Sequence, residues 1–419
     1  MAYSRKEFGC DLLKYLANDQ EKKMKSALLA CLIIIIVAPA IISPTRVAAK
    51  QEQLAGSITA LCPPGVYLTP PNNCLPLGPS SFLTDMARLG LTIPAKPIPV
   101  KKPDPELAFL PYYYAKLQDQ SAMIYSSSED AIADQSPVGS VSWGEGFKFI
   151  SYSDIVDNNG DNKPEAFYLR NGGWVSSRDV QTRWGATPKF QGLEITEPPE
   201  HSFGWVIPVN ATIESKRTPS YKTQDLTGRI YDAYQVIPIY NAVNAEGMDW
   251  FMVGPDEWVE GRQVARVVNN PIPPQGVTNG RWIEVNLFEQ TMTVYDQGKM
   301  IFATMIASGI KPYYTRPGLF QIFNKKESTL MSGAFESDRS DFYYLEDVPW
   351  TIYYDEARAL HGAYWRAKMG YPQSHGCVNL TPGDSHWLFN WANVGDWVYV
   401  WDPSGETPTD PKAYTQGGA

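Results

Sequence analysis

A mainly β chain built from several small modules is what this sequence predicts, and three observations predict it. Aromatic residues make up 13% of the 419 residues, 34 prolines and 32 glycines interrupt the chain at short intervals, and long alanine/leucine/glutamate stretches are few. Such a composition favours short strands joined by turns. The length suggests roughly two to four domains. A formal charge of −9 without a basic block or an arginine-rich run argues against nucleic acid as a partner.

Residues 1–49 form a polar lead ending in Lys22, Lys23 and Lys25, followed by an apolar run at 27–42 that contains Pro39. Lysines ahead of an apolar run place the N-terminus in the cytoplasm. The run is near the lower length limit for a spanning helix, so both a retained anchor and a signal cleaved after Val47-Ala48-Ala49 stay open. Lipidation at Cys31 is not expected, because most of the apolar run follows that residue.

Cys10 and Cys31 fall in this lead and run, which leaves Cys62, Cys74 and Cys377 beyond it. Cys62 and Cys74 bracket a short proline-rich loop and suit a disulfide in an oxidising compartment. Cys377 is then the unpaired thiol, a liability outside the cell unless its reactivity is used.

Residues 50–110 are proline-rich, with Pro97, Pro99 and Pro103 among them, and read as a semi-rigid spacer with one short helical candidate near 80–89. Short apolar and aromatic runs separated by turns between 111 and 187 suggest a small β-barrel. A weaker echo follows at 200–268, where Trp250-Phe251-Met252-Val253 and Trp258-Val259 answer Phe167-Tyr168-Leu169 and Trp174-Val175. The two modules look like bacterial SH3-type barrels. Asp157, Asn159 and Asp161 open like a calcium loop, but Tyr168 stands where a bidentate glutamate is needed, so a hairpin turn is expected there. The sequon at Asn210 reads as surface loop.

A proline-rich break at 269–274 precedes three strand patterns at 282–287, 292–295 and 300–307. Helix signals are weak until Thr381, an N-cap followed by Pro382 and by Asp384 three residues on. That helix is expected to start just after Cys377 and to lower the thiol pKa through its N-terminal field.

The chain has only four histidines, and two of them, His361 and His375, are near Cys377 in sequence. A thiol is mostly protonated at neutral pH, so a nucleophilic cysteine needs a base or a nearby positive charge. Zinc binding is disfavoured because His375-Gly376-Cys377 has no Cys-x-x-Cys partner. A core cysteine beside structural histidines is the bland alternative.

His361-Gly362, with Ser374-His375-Gly376-Cys377-Val378-Asn379 after it, resembles the catalytic signature of the L,D-transpeptidases, the YkuD-type domain that cross-links bacterial peptidoglycan. Ala307-Ser308-Gly309, Thr315-Arg316-Pro317-Gly318 and Gly395-Asp396-Trp397-Val398 extend the likeness, which covers residues 277–403. The resemblance implies a β-sandwich-like catalytic domain with a short helix after the cysteine; residues 404–419, beyond it, read as a flexible tail.

Carried over residue by residue, Cys377 would be the nucleophile and His361 its base, oriented by the Gly362 carbonyl. His375 and Gly376 would shape the nucleophile loop, the N–H groups of Gly376 and Cys377 would face the oxyanion, and Ser374 and Asn379 would support the loop. Tyr354, Trp365 and Arg366 are candidate substrate contacts, although the family often shows a histidine where Arg366 stands. His386 reads as structural. No cofactor and no metal is implied.

The implied reaction releases D-alanine from a tetrapeptide stem and forms a 3→3 cross-link, at the outer face of the cytoplasmic membrane or in the wall. Peptidoglycan stem peptides would be the partners, with glycan and, if the run at 27–42 is retained, the membrane. Water as acceptor would make the chain a carboxypeptidase, and a protein amine would make it a wall-attachment enzyme. A non-catalytic peptidoglycan-binding protein is the reading from another class.

Overall fold

In a computed structural model of the chain, the residues described are 95–110, 112–118, 121–142, 146–182, 190–336 and 338–414, with Met86, Ala87, Leu89 and Leu91. The lead and apolar run, the Cys62–Cys74 loop and residues 415–419 lie outside them. Among the described residues no helix is long and apolar enough to cross a membrane.

Two sheets face each other. One has seven strands in the order Val100–Lys101, Leu193–Ile195, Lys299–Met305, Thr291–Asp296, Arg281–Asn286, Trp397–Trp401 and Gly318–Gln321. Its centre is buried on both faces, so apolar side chains of its central strands enter a core on either side. Ile283, Val285, Val294 and Phe302 point to the sandwich core, where Ile352, Leu360, Val378 and Leu380 of the second sheet and Leu388 of the helix Pro382–Trp391 meet them. Trp282, Tyr295, Ala303 and Met305 point the other way, onto Phe203, Trp205, Ala265 and Val267.

The second sheet runs Val378–Leu380, Arg358–Gly362, Tyr343–Asp355, Phe147–Val156, Tyr113–Leu117 and Val180–Gln181, with Asn324–Gly333 paired to Tyr343–Asp355. It draws strands from two distant parts of the sequence. Phe147–Val156 is parallel to Tyr343–Asp355, with Phe147 opposite Tyr343 and Phe149 opposite Leu345. Side chains bolt the junction: Tyr114 and Tyr364 stack with centroids 3.5 Å apart. Their hydroxyls donate to Asp347 O at 2.9 Å and Glu346 O at 2.8 Å. Residues 113–181 therefore enclose a core of their own, around Ile150, Phe167 and Val175, while completing the catalytic sheet.

Residues 202–267 enclose another core, around Ile213, Ile237 and Phe251. The Asp157 loop is a turn, its carboxylate accepting from Gly160 N and Asn162 N at 2.8 Å each.

Two expectations are corrected here. The described end of the proline-rich spacer is packed: Val100–Lys101 pairs with Leu193–Ile195 at the sheet edge, and Leu107 O lies 3.2 Å from His386 Nδ1. Proline tolerates an edge strand because one side of the edge needs no N–H. The tail beyond 404 is also tied down, at Thr407 and Tyr414, while most of its other described residues are exposed. Tyr414 is 5% exposed, and its carbonyl accepts from Arg358 Nη2 at 3.3 Å.

Candidate active site

Strand register assembles the site. Arg358–Gly362 and Val378–Leu380 run parallel with His361 opposite Asn379. Side chains alternate across a strand, so Leu360 and Val378 enter the sandwich core while His361 and Asn379 share the opposite face. Gly362 follows where there is no room for a side chain, since a Cβ there would meet Ser385 Oγ at 2.6 Å.

His361 is buried, 2% exposed, and both ring nitrogens are engaged. Nδ1 lies 3.2 Å from Gly362 O, and a carbonyl only accepts, so Nδ1 carries the proton. Nε2 is then a lone pair, 3.0 Å from Asn379 Nδ2. The amide orientation is fixed independently, because Arg366 Nε donates to Asn379 Oδ1 at 3.2 Å. Arg366 Nη2 donates in turn to Gln373 O at 2.6 Å. Burial lowers the His361 pKa to about 4, against the Gly362 hydrogen bond, which raises it. The imidazole is therefore neutral at physiological pH.

Cys377 is a free, buried thiol. Its Sγ lies 3.9 Å from Ala357 O, and among the described residues it makes no hydrogen bond to either histidine. The expected helix-dipole effect on this thiol is overturned. Strand Val378–Leu380 separates Cys377 from the helix that begins at Pro382, and a helix field fades within its first turn. Burial instead raises the thiol pKa above its ordinary value.

The nucleophile loop is tied at several points. Gly376 has φ +123°, in the region that favours glycine. Its carbonyl accepts from Thr315 Oγ1 at 2.9 Å, and Thr315 Oγ1 accepts from Gly309 N at 2.9 Å. Ser374 Oγ donates to Cys377 O at 2.5 Å and accepts from Gly376 N at 3.1 Å. The Gly376 N–H assigned above to the oxyanion thus closes the loop onto Ser374. His375 is stacked on Tyr313, centroids 4.7 Å apart, and lies 3.7 Å from Asp341.

One cavity of about 210 Å³ gathers Cys377, His361, His375, Ser374, Asn379, Trp365 and Arg366 with Asp341, Tyr343, Met331, Leu345, Gln373 and Phe147. Tyr354 is absent from its lining, packing into the sandwich core instead, because the alternation of its strand turns it away. His386 stacks on Trp350 with centroids 3.8 Å apart and does not line the cavity. Among the described residues no group of three His, Cys, Asp or Glu is arranged to hold a metal.

Sequence reasoning missed Met331, Asp341, Leu345 and Gln373 in this lining, and Phe147 with them. Phe147 arrives on the strand from the first β-module, edge-on to Trp365 with centroids 6.3 Å apart, and nothing in the catalytic stretch signals it. Phe147→Ala is expected to raise KM by roughly 10-fold for a substrate that occupies this cavity, through lost aromatic contact. Alkylation of Cys377 by iodoacetamide should stay near the wild-type rate; steady-state kinetics beside the alkylation rate checks both.

A buried thiol and a neutral imidazole opening into one cavity of a β-sandwich are the equipment of a cysteine acyltransferase. Residues 280–400 match the family model of the L,D-transpeptidase catalytic domain, YkuD, and this segment of the chain belongs to that family. L,D-transpeptidase 1 of Mycobacterium tuberculosis is 33% identical over 121 residues, which cover 26% of this chain and 46% of that protein. The chain thus spans about half the length of the relative it matches.

Among solved structures, the catalytic domain of the E. faecium L,D-transpeptidase is 30% identical, covering 30% of this chain and 100% of that one, with a TM-score of 0.27. An L,D-transpeptidase from Stackebrandtia nassauensis is 29% identical, covering 32% and 60%, with a TM-score of 0.25.

Proposed function

We propose that the chain is a peptidoglycan L,D-transpeptidase that forms 3→3 cross-links through a thioester on Cys377. The observation that carries this reading is the hydrogen-bonded run from Gly362 O through His361 and Asn379 to Arg366, in one cavity with Cys377. It lies inside the segment that matches the catalytic-domain family.

In the first half-reaction Cys377 Sγ attacks the carbonyl carbon of the third, diamino-acid residue of a tetrapeptide stem. The thiol proton passes to His361 Nε2, which gives up its bond from Asn379 as the thiol turns toward it; such contacts commonly tighten only when substrate binds. The C–N bond then breaks, the proton goes to the leaving amine, and D-alanine departs. In the second half, the side-chain amine of another stem attacks the thioester, loses a proton to His361 and restores the thiol. With the Gly376 N–H held by Ser374, the oxyanion falls to the backbone N–H of Cys377.

On this reading the two β-modules, with their SH3-like pattern, hold the enzyme against the wall on the outer side of the membrane. Residues 27–42 direct export as signal or anchor.

The test is to incubate the purified protein with disaccharide-tetrapeptide. Intact-protein mass should show tripeptide acylation at Cys377, and muropeptide mass analysis should show dimers joined between third-position residues. Tripeptide without dimers would make water the acceptor. A Cys377 that accepts neither stem peptide nor a carbapenem would overturn the enzymatic reading.

A further inference from the structure

Arg366 is an unusual group to find in this cavity. Its guanidinium donates to two neutral acceptors, Asn379 Oδ1 and Gln373 O. Among the described residues no carboxylate lies within ion-pairing distance of it, and Nη1 has no hydrogen-bond acceptor. The acid that lines the same cavity, Asp341, lies against His375 at 3.7 Å. Around these groups the lining is apolar or aromatic, with Phe147, Trp365 and Leu345.

Arg366 is half-buried, and a partly desolvated cation without a counter-charge carries a cost that neutral acceptors repay only in part. A planar guanidinium with donors to spare matches a carboxylate. Burial holds the Arg366 pKa down to about 10, which still leaves it charged at neutral pH. The position is also close to the chemistry, since one amide, Asn379, separates its Nε from the lone pair of His361.

Resting on the transpeptidase reading, we propose that Arg366 is the specificity-determining residue that receives the free C-terminal carboxylate of the acyl donor, one residue beyond the scissile bond. The free carboxylate supplies the missing counter-charge, and binding it sets the scissile carbonyl beside Cys377. A donor whose last residue is extended or amidated offers no such charge, so the cavity discriminates against it.

The probes are a synthetic stem tetrapeptide ending in free D-alanine and the same peptide as its C-terminal carboxamide. Binding is measured by calorimetry on the Cys377→Ala protein, where no turnover occurs. The acid should bind about 10- to 100-fold more tightly than the amide, the loss of a charged hydrogen bond. Adding Arg366→Gln should weaken the acid to the level of the amide while leaving the amide's affinity unchanged, and Arg366→Lys, which keeps the charge without the fork, should fall between. Equal binding of acid and amide by the Cys377→Ala protein, or an equal loss for both peptides on adding Arg366→Gln, would overturn the proposal and leave Arg366 a loop support. Failure of the transpeptidase reading appears separately, as wild-type protein that never acylates.

Discussion

Changing His361 to glutamine is expected to slow acylation of Cys377 by about 10²- to 10⁴-fold, the range that a positioned general base contributes. Cys377→Ala should abolish acylation altogether. The pH dependence carries the more informative signature. Burial first, opposed by the Gly362 hydrogen bond, brings the imidazole pKa to about 4, while burial pushes the thiol the other way.

The resting pair is therefore a neutral thiol beside a neutral imidazole. The wild-type acylation rate should hold from neutral pH down toward about 4 and fall below it, as the imidazole takes up a proton and loses its lone pair. On the alkaline side, iodoacetamide alkylation should keep rising through the ordinary thiol range near about 8.5 instead of levelling at neutral pH. In His361→Gln the acid limb should vanish and only the thiol's own titration remain. A plateau in wild-type alkylation near neutral pH, or an acylation rate in His361→Gln equal to wild type, would contradict this account.

The grouping of the candidate site residues into one cavity was the legible part of the sequence. Cys377, His361, Ser374 and Asn379 are close in the chain and of residue types that few roles require together. The Thr381 cap was equally readable, since Thr381 Oγ1 accepts from Asp384 N at 3.2 Å. What a linear pattern does not carry is which strands become neighbours. The residues near Phe147 read as a strand, but their parallel pairing with Tyr343–Asp355 joins distant parts of the chain, so the first module's share in the cavity stayed hidden.

The pKa direction of Cys377 failed for a local reason. Three residues of strand, Val378–Leu380, intervene before the helix, enough to replace a helix field by burial. The prolines near 97–103 carry an extended-chain signal that fits a free spacer and a sheet edge equally well.

Asp384→Ala should be the most damaging change outside the cavity. Asp384 is 0% exposed, and it ties three elements together. Its Oδ1 accepts from Gly192 N at 2.8 Å, bringing the segment that leads into Leu193–Ile195 against the helix. Its Oδ2 accepts from Thr304 Oγ1 at 2.6 Å, on the neighbouring strand Lys299–Met305. Alanine leaves the Gly192 N–H buried without an acceptor and the Thr304 hydroxyl with only its longer contact to Met305 O at 3.2 Å, which costs about 2 kcal/mol, seen as a fall of roughly 4 °C in Tm.

Asparagine should behave differently, and pH separates the two. Burial raises the Asp384 pKa from 3.8 to about 6. A raised carboxyl pKa means that its contribution to stability is full below the unfolded value and is lost as pH rises through about 6. Asparagine imitates the protonated acid: its oxygen accepts from Gly192 N, its NH₂ donates to Thr304 Oγ1, and it never ionises. Asp384→Asn should therefore match wild type near pH 4 and gain on it as pH rises toward about 8, where the wild-type carboxylate bears its desolvation cost. Asp384→Ala should stay below wild type across that range. Thermal melts of the three proteins at several pH values decide the matter, and an Asp384→Asn deficit that widens with pH would show that the buried carboxylate is stabilised by its donors rather than tolerated.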